Sequence, residues 1–156
     1  MTSLASKVIE ALVGKSLATA ESCTGGMIGQ LLTSVSGASK VYKGGVISYI
    51  NEVKHNVLGV DGDVLVRFGA VSAQTAEEMA AGARKVLNTD IAVSVTGLAG
   101  PGGDDFGNPV GTVFVGFACE NKSEVKEYHF TGDRESVRRQ AAEAALQLIL
   151  ANKEHL

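Results

Sequence analysis

The sequence predicts an α/β fold, a single three-layer α/β/α sandwich around a mixed sheet of about five strands. Three observations carry that prediction. Short apolar runs alternate with amphipathic segments along most of the chain, which favours helices on both faces of parallel strands. The last two apolar runs, Gly111 to Cys119 and Glu124 to Phe130, are joined only by Glu120-Asn121-Lys122, a hairpin link that makes the sheet mixed. Finally, no repeat, low-complexity tract or long linker divides the 156 residues, a length that suits one domain with a real core.

In chain order, Leu4, Val8, Ala11 and Leu12 recur at helical spacing and predict a first helix over Thr2 to Val13. Ser16 to Ala20 reads as a short strand, and Gly25-Gly26 opens a helix over Met27 to Thr33. Gly44 to Ile50 reads as a buried strand, with Asn51 as N-cap of a short helix that carries Lys54 and His55. Ser72 caps a long helix, Ala73 to Leu87, whose apolar face is Ala76, Met79, Ala80, Ala83, Val86 and Leu87. Ile91 to Val95 is a strand, followed by a glycine-rich segment from Gly97 to Gly107. After the hairpin, Asp133 caps a final helix, Arg134 to Leu150, with Val137, Ala141, Ala144, Ala145 and Leu148 facing inward.

Composition narrows the function classes. A net charge of −3 and a pI near 5.6, with no basic stripe, argue against a nucleic-acid surface. No run approaches eighteen apolar residues, so no membrane span is expected, and the charged N-terminal stretch reads as a helix, not a signal peptide. Cys23 and Cys119 are too few for a disulfide framework or a cysteine zinc site, which suits a reducing, cytoplasmic setting. No metal or cofactor motif is readable: Asp61 and Asp63 loosely resemble a calcium loop, but no glutamate stands at its twelfth position.

The richest stretch is Ala20-Glu-Ser-Cys-Thr-Gly-Gly26, which delivers Ser22 and Cys23 into a strand-to-helix turn. A nucleophile there faces unpaired N–H groups at the positive end of a helix, a geometry suited to attack on a carbonyl. The plainer alternative is that Ser22 or Thr24 merely N-caps the helix. Ser22 needs a base, and Lys54 and His55 are the candidates. An ordinary lysine is neutral only about once in a few thousand at pH 7, so burial must lower its pKa by roughly 2–3 units. Tyr49 can pass a proton between Ser22, Lys54 and a leaving group, and Cys23 with His55 would make a thiol hydrolase instead. The Thr96-to-Pro109 segment is too glycine-dense for a routine connection and can form an anion-binding nest, though it fits neither phosphate-loop pattern. Asp104 and Asp105 are then expected to point away from a ligand, and Arg138 and Arg139 can pair with a phosphate.

Ala-Glu-Ser-Cys-Thr-Gly-Gly (20–26), Tyr-x-Asn-Glu-x-Lys (49–54), Gly-Ala-Val-Ser (69–72), Thr-Gly-Leu-Ala-Gly-Pro-Gly-Gly (96–103), Pro-Val-Gly-Thr-Val (109–113) and Gly-Asp-Arg-x-x-Val-Arg (132–138) follow in order. Together they resemble the CinA C-terminal domain family, with its PncC-like nicotinamide-nucleotide amidohydrolases, over roughly residues 3 to 152. The resemblance implies hydrolysis of nicotinamide mononucleotide to nicotinate mononucleotide and ammonia, without metal or cofactor. It implies Ser22 as nucleophile, Lys54 as base and Tyr49 in proton transfer, with oxyanion donors near Thr24, Gly25 and Gly26. Thr96, the loop glycines Gly97, Gly100 and Gly102, and Arg138 or Arg139 would hold substrate and its phosphate. Relatives also imply a homodimer, which the alanine-rich helices can support. Many members carry a large N-terminal domain whose activities do not transfer to this segment, and Ile50 stands where a small polar residue is frequent in the family. Two other readings stay open: a non-catalytic nucleotide-binding or regulatory module of the competence/damage-inducible type, and the Cys23 thiol hydrolase.

Overall fold

A computed structural model describes residues 3–156. Its five strands are β1 (Leu17–Glu21), β2 (Tyr42–Ile47), β3 (Ile91–Gly97), β4 (Thr112–Ala118) and β5 (Ser123–His129). Its helices are α1 (Leu4–Ala11), α2 (Met27–Thr33), α3 (Asn51–Asn56), α4 (Gly62–Phe68), α5 (Ala73–Leu87) and α6 (Arg134–Ala151), with short 3₁₀ turns at Ala38–Lys40 and Lys153–His155. The strand order is β2-β1-β3-β4-β5. β1 pairs in parallel with β2 and β3, while β4 runs antiparallel to both of its neighbours. Only β4 is reversed, so the carboxyl ends of the other four strands share one edge of the sheet.

Helices α1, α2 and α6 cover one face of the sheet and α5, with α4 against it, covers the other. The larger core lies under α1, α2 and α6, where Leu17, Val93, Val95, Val113 and Val115 meet Val8, Ile28, Ala141, Ala145 and Ile149. Under α5, Ala18, Ala20 and Ala92 meet Met79 and Ala83. Ala18 and Ala20 keep the α5 side of β1 small, and β1 is buried along its whole length. Ser72 and Asp133 cap α5 and α6 as the sequence predicts, accepting from the Thr75 and Ser136 N–H groups.

Several local expectations are corrected. β2 is an edge strand of alternating exposure that spans Tyr42–Ile47, not a buried run ending at Ile50. It leaves the sheet early because the next residues turn toward α3. Ile50, not Asn51, occupies the N-cap position of that helix, with no side-chain cap. The Asp61-Gly62-Asp63 segment is a helix start: Asp61 accepts from the Asp63 N–H and caps α4, a helix the sequence pattern did not announce. Ala11 and Val86, assigned to apolar faces, are exposed. Thr2, the expected start of the first helix, lies outside the described residues.

Candidate active site

The turn after β1 lies at the carboxyl edge, between β2 and β3. The β1–β3 register ends at Glu21 opposite Val95, and the Ser22 N–H continues it by donating to Val95 O at 3.1 Å. On the other side the Ser48 N–H donates to Glu21 O at 2.7 Å. Ser22, Thr96 and Ser48 therefore stand side by side at the ends of three parallel strands, where ligands of open α/β sheets collect.

From Ser48 the chain turns into α3, and this brings Lys54 back over the strand ends. Lys54 is the largest fully buried side chain of the molecule, 1% exposed. Its Nζ lies 2.9 Å from Ser22 Oγ, 2.7 Å from Ser48 O and 3.1 Å from Tyr49 O. Among the described residues no carboxylate pairs with it. Burial lowers its pKa to about 8 against the opposing effect of Cys23. The separation of the lysine amine from the serine hydroxyl is that of a hydrogen bond, the reach that general-base catalysis requires.

Around this pair lies a cleft of about 270 Å³ lined by Ser22, Cys23, Tyr49, Lys54, Thr96, Gly97, Gly100, Gly102, Arg134 and the Ala70-Val71 turn. Gly97 stays a glycine for want of room, since a side chain there would meet Val113 Cγ2 at 2.6 Å. Thr96 is buried and donates its hydroxyl to Ala70 O at 2.7 Å, so it braces the far wall. The glycine-rich loop is pinned from within. Asp104 accepts from the Phe106 and Asn108 N–H groups and the Asn108 amide, which also donates to Val71 O. Slight burial opposes ionisation of Asp104, but these hydrogen bonds outweigh it and hold its carboxyl below the usual value. No acidic side chain lines the cleft.

Other anticipated residues lie elsewhere. The Tyr49 hydroxyl does not reach Ser22 or Lys54: it sits exposed at the cleft mouth and accepts from Arg134 at 3.1 Å, and Tyr49 touches Lys54 only through its carbonyl. Arg138 points under the turn, donating from Nε to Cys23 O at 2.9 Å and from its terminal nitrogen to Thr24 O at 3.1 Å. Arg139 is on the outer face of α6 beside Glu135. The guanidinium at the cleft is Arg134, which donates to Gly100 O and Tyr49 Oη. The reason is geometric. β5 ends at the same edge as β1, so the first turn of α6 lies beside the site, and Arg138 is one turn further away.

The helix amides proposed as oxyanion donors are also committed. Gly26 takes φ +105° at the head of α2, which a residue with a side chain rarely adopts, and its N–H donates to Glu21 Oε1 at 3.1 Å. The Gly25 N–H donates to Ser22 O. Neither Ser22 nor Thr24 caps α2. That role falls to buried Glu21, whose carboxylate accepts from the Thr24 hydroxyl and the Gly26, Ile28 and Gly29 N–H groups. Among the described residues, the Cys23 and Thr24 N–H groups donate to no backbone carbonyl and to no other residue's side chain, and Cys23 lines the cleft. The signal for Glu21 was present in the sequence, since a charge at the end of an otherwise apolar strand must be paired.

The rival nucleophile and base are less favourably set. Burial pushes the Cys23 thiol up to about 11, which keeps it protonated at neutral pH. His55 is exposed on the far side of α3, its Nδ1 2.7 Å from Val60 O.

The family model of the CinA C-terminal domain matches residues 1–153. The chain belongs to this family. The CinA-like protein of Thermotoga neapolitana is 48% identical over 133 residues, 85% of this chain but 32% of that protein. The CinA-like protein of Syntrophomonas wolfei is 47% identical over 136 residues, 87% of this chain and 33% of its own. The chain thus spans about a third of the length of these curated relatives. Among solved structures, a CinA superfamily protein of Klebsiella pneumoniae superposes with a TM-score of 0.95 at 35% identity, covering 98% of this chain and 97% of that one. The competence/damage inducible protein of Agrobacterium tumefaciens gives 0.91 at 39% identity, covering 95% and 92%. The five-stranded mixed sheet with helices on both faces is the fold of this CinA superfamily.

Proposed function

We propose that this domain is a nicotinamide mononucleotide deamidase, hydrolysing the ring carboxamide to nicotinate mononucleotide and ammonia by serine catalysis. The observation that carries the reading is the 2.9 Å contact between Ser22 Oγ and the amine of Lys54, a buried lysine with no carboxylate partner. The substrate itself is proposed from the CinA motifs that the chain contains.

In the working state Lys54 is neutral. Its two N–H bonds go to Ser48 O and Tyr49 O, and its lone pair faces the Ser22 hydroxyl. The amine takes the proton as Oγ attacks the carboxamide carbon. The Cys23 N–H, immediately after the nucleophile, is the amide assigned to the oxyanion, a contribution of about 3–4 kcal/mol per good donor. The Lys54 ammonium then protonates the amide nitrogen, the C–N bond breaks and ammonia leaves. Water attacks the resulting ester, giving its proton to Lys54, which returns one to Ser22 as the nicotinate carboxylate departs. Arg134 at the mouth supplies the positive charge for the 5′-phosphate, at the cost of its bonds to Gly100 O and Tyr49 Oη.

The test is ammonia release from nicotinamide mononucleotide by EDTA-treated protein, run beside Ser22→Ala. Release by the unaltered protein alone supports a serine deamidase that needs no EDTA-accessible metal. A folded protein that binds the mononucleotide but releases no ammonia would replace this reading with a non-catalytic binding module.

A further inference from the structure

Glu21 precedes the nucleophile and touches neither the cleft nor Lys54, yet it is the junction of everything that holds the site. It is 2% exposed at the end of β1. Its Oε1 accepts from Thr24 Oγ1 at 2.7 Å, Gly26 N at 3.1 Å and Ile28 N at 2.9 Å, and its Oε2 from Gly29 N at 3.0 Å. Its own carbonyl accepts both the N–H and, at 3.2 Å, the hydroxyl of Ser48, the residue whose carbonyl holds the Lys54 amine. One residue therefore fixes the turn that carries Ser22 by its side chain and the anchor of the base by its main chain. From the opposite side Arg138 binds the Cys23 and Thr24 carbonyls.

We propose that Glu21 is a positioning residue for catalysis. By occupying the α2 amides and drawing the Thr24 hydroxyl inward, it holds the turn so that Ser22 Oγ stays within hydrogen-bond reach of the Lys54 amine. A carboxylate suits this task because all four of its neighbours donate. Gln at this position keeps an oxygen for the Oε1 contacts but sets an amide N–H against the Gly29 N–H. The substitution changes one atom and removes no volume, so it loosens the turn without opening a cavity.

This inference rests on the serine–lysine reading above, and its test separates the two. In Glu21→Gln, kcat for ammonia release falls at least about tenfold while KM for nicotinamide mononucleotide stays within about twofold, because displacement of a reacting group by an ångström can cost about a hundredfold. Tyr42→Phe is the matched comparison. It removes the 2.7 Å contact between Tyr42 Oη and Thr19 Oγ1 beside the same carboxylate, keeps all four hydrogen bonds that Glu21 accepts, and leaves kcat unchanged. A second readout needs no mononucleotide: the rate at which a fluorophosphonate phosphonylates Ser22 with loss of fluoride, followed by mass. Slower labelling in Glu21→Gln, at wild-type rate in Tyr42→Phe, supports the positioning role even where the deamidase substrate is wrong. Equal labelling rates in Glu21→Gln and wild type, or equal falls in kcat for both variants in proportion to lost stability, would overturn it.

Discussion

On the proposed mechanism, turnover through Ser22 depends on the fraction of Lys54 that is neutral, and the buried amine sets that fraction. An ordinary lysine at 10.5 would be neutral in about one molecule in three thousand at pH 7. With its pKa lowered to about 8, the neutral share is about a tenth at pH 7 and about a hundredth at pH 6. The sign follows directly: the base works deprotonated, so kcat/KM for nicotinamide mononucleotide rises about tenfold per pH unit below pH 7 and levels off above about pH 8. Initial rates of ammonia release at substrate well below KM measure it. The substrate phosphate titrates near pH 6, about two units below Lys54, so the two ionisations separate. Lys54→Arg keeps the charge but cannot lose its proton, and is expected to cost about a hundred- to ten-thousandfold. A profile flat from about pH 6.5 to 9, or an acidic limb confined to about pH 6–6.5, would refute lysine as the base.

Ser22→Ala abolishes ammonia release while mononucleotide binding, measured by titration calorimetry, weakens by less than about threefold; residual turnover near the wild-type rate would remove Ser22 from the mechanism. Arg134→Ala raises KM for the mononucleotide by about ten- to a hundredfold, the loss of one charge-assisted contact, whereas Arg139→Ala changes steady-state kinetics little because its partner is Glu135 on the outer face. Cys23→Ala stays active, since a thiol pushed up to about 11 supplies no thiolate at neutral pH; complete inactivation would restore the thiol-hydrolase reading. Lys54 also leaves a stability signature. Its folded pKa of about 8 lies below its ordinary 10.5, so between those values the unfolded chain holds a proton that the folded one lacks, and stability rises with pH by about 3 kcal/mol. Cys23 acts in the opposite sense between about 9 and 11, so the difference in denaturation free energy between wild type and Lys54→Met isolates the lysine. A difference independent of pH from 7 to 10.5 would show that Lys54 is not desolvated.

The parts of this molecule legible in its sequence are those where one local signal suffices. Ser72 and Asp133 cap their helices because a small oxygen-bearing side chain followed by an apolar period has one good use. The hairpin at Glu120-Asn121-Lys122 was equally plain, and with it the mixed sheet. Ser22 and Lys54 were named by chemical type, but their contact spans 32 residues and rests on where β2 leaves the sheet, which no periodicity encodes. The arginine at the cleft differs from the pair that the sequence suggests for a related reason. Arg134, Arg138 and Arg139 are alike in sequence, and only the direction of β5 decides that the first turn of α6 faces the substrate while the second faces the turn below it. α4 was missed because Gly62-Asp-Val-Leu-Val-Arg-Phe68 is short, begins with glycine and is rich in β-branched residues, so tertiary packing of Leu65 overrides weak propensity.

The site sets a buried carboxylate and a buried amine on either side of one turn without letting them neutralise each other. A carboxylate within a few ångströms of Lys54 would favour its ammonium and return the pKa toward the ordinary value. Strand alternation prevents this: Glu21 is drawn to one face, where α2 donors surround its carboxylate, and Ser22 faces the other, where Lys54 descends from α3. The lysine is given two carbonyls and a hydroxyl instead. As an ammonium it donates to all three; as an amine it donates to the carbonyls and accepts from the hydroxyl. The same three contacts serve both protonation states, so a proton can pass between Ser22 and Lys54 with no heavy atom displaced, which is the preorganisation that proton transfer at a serine nucleophile requires.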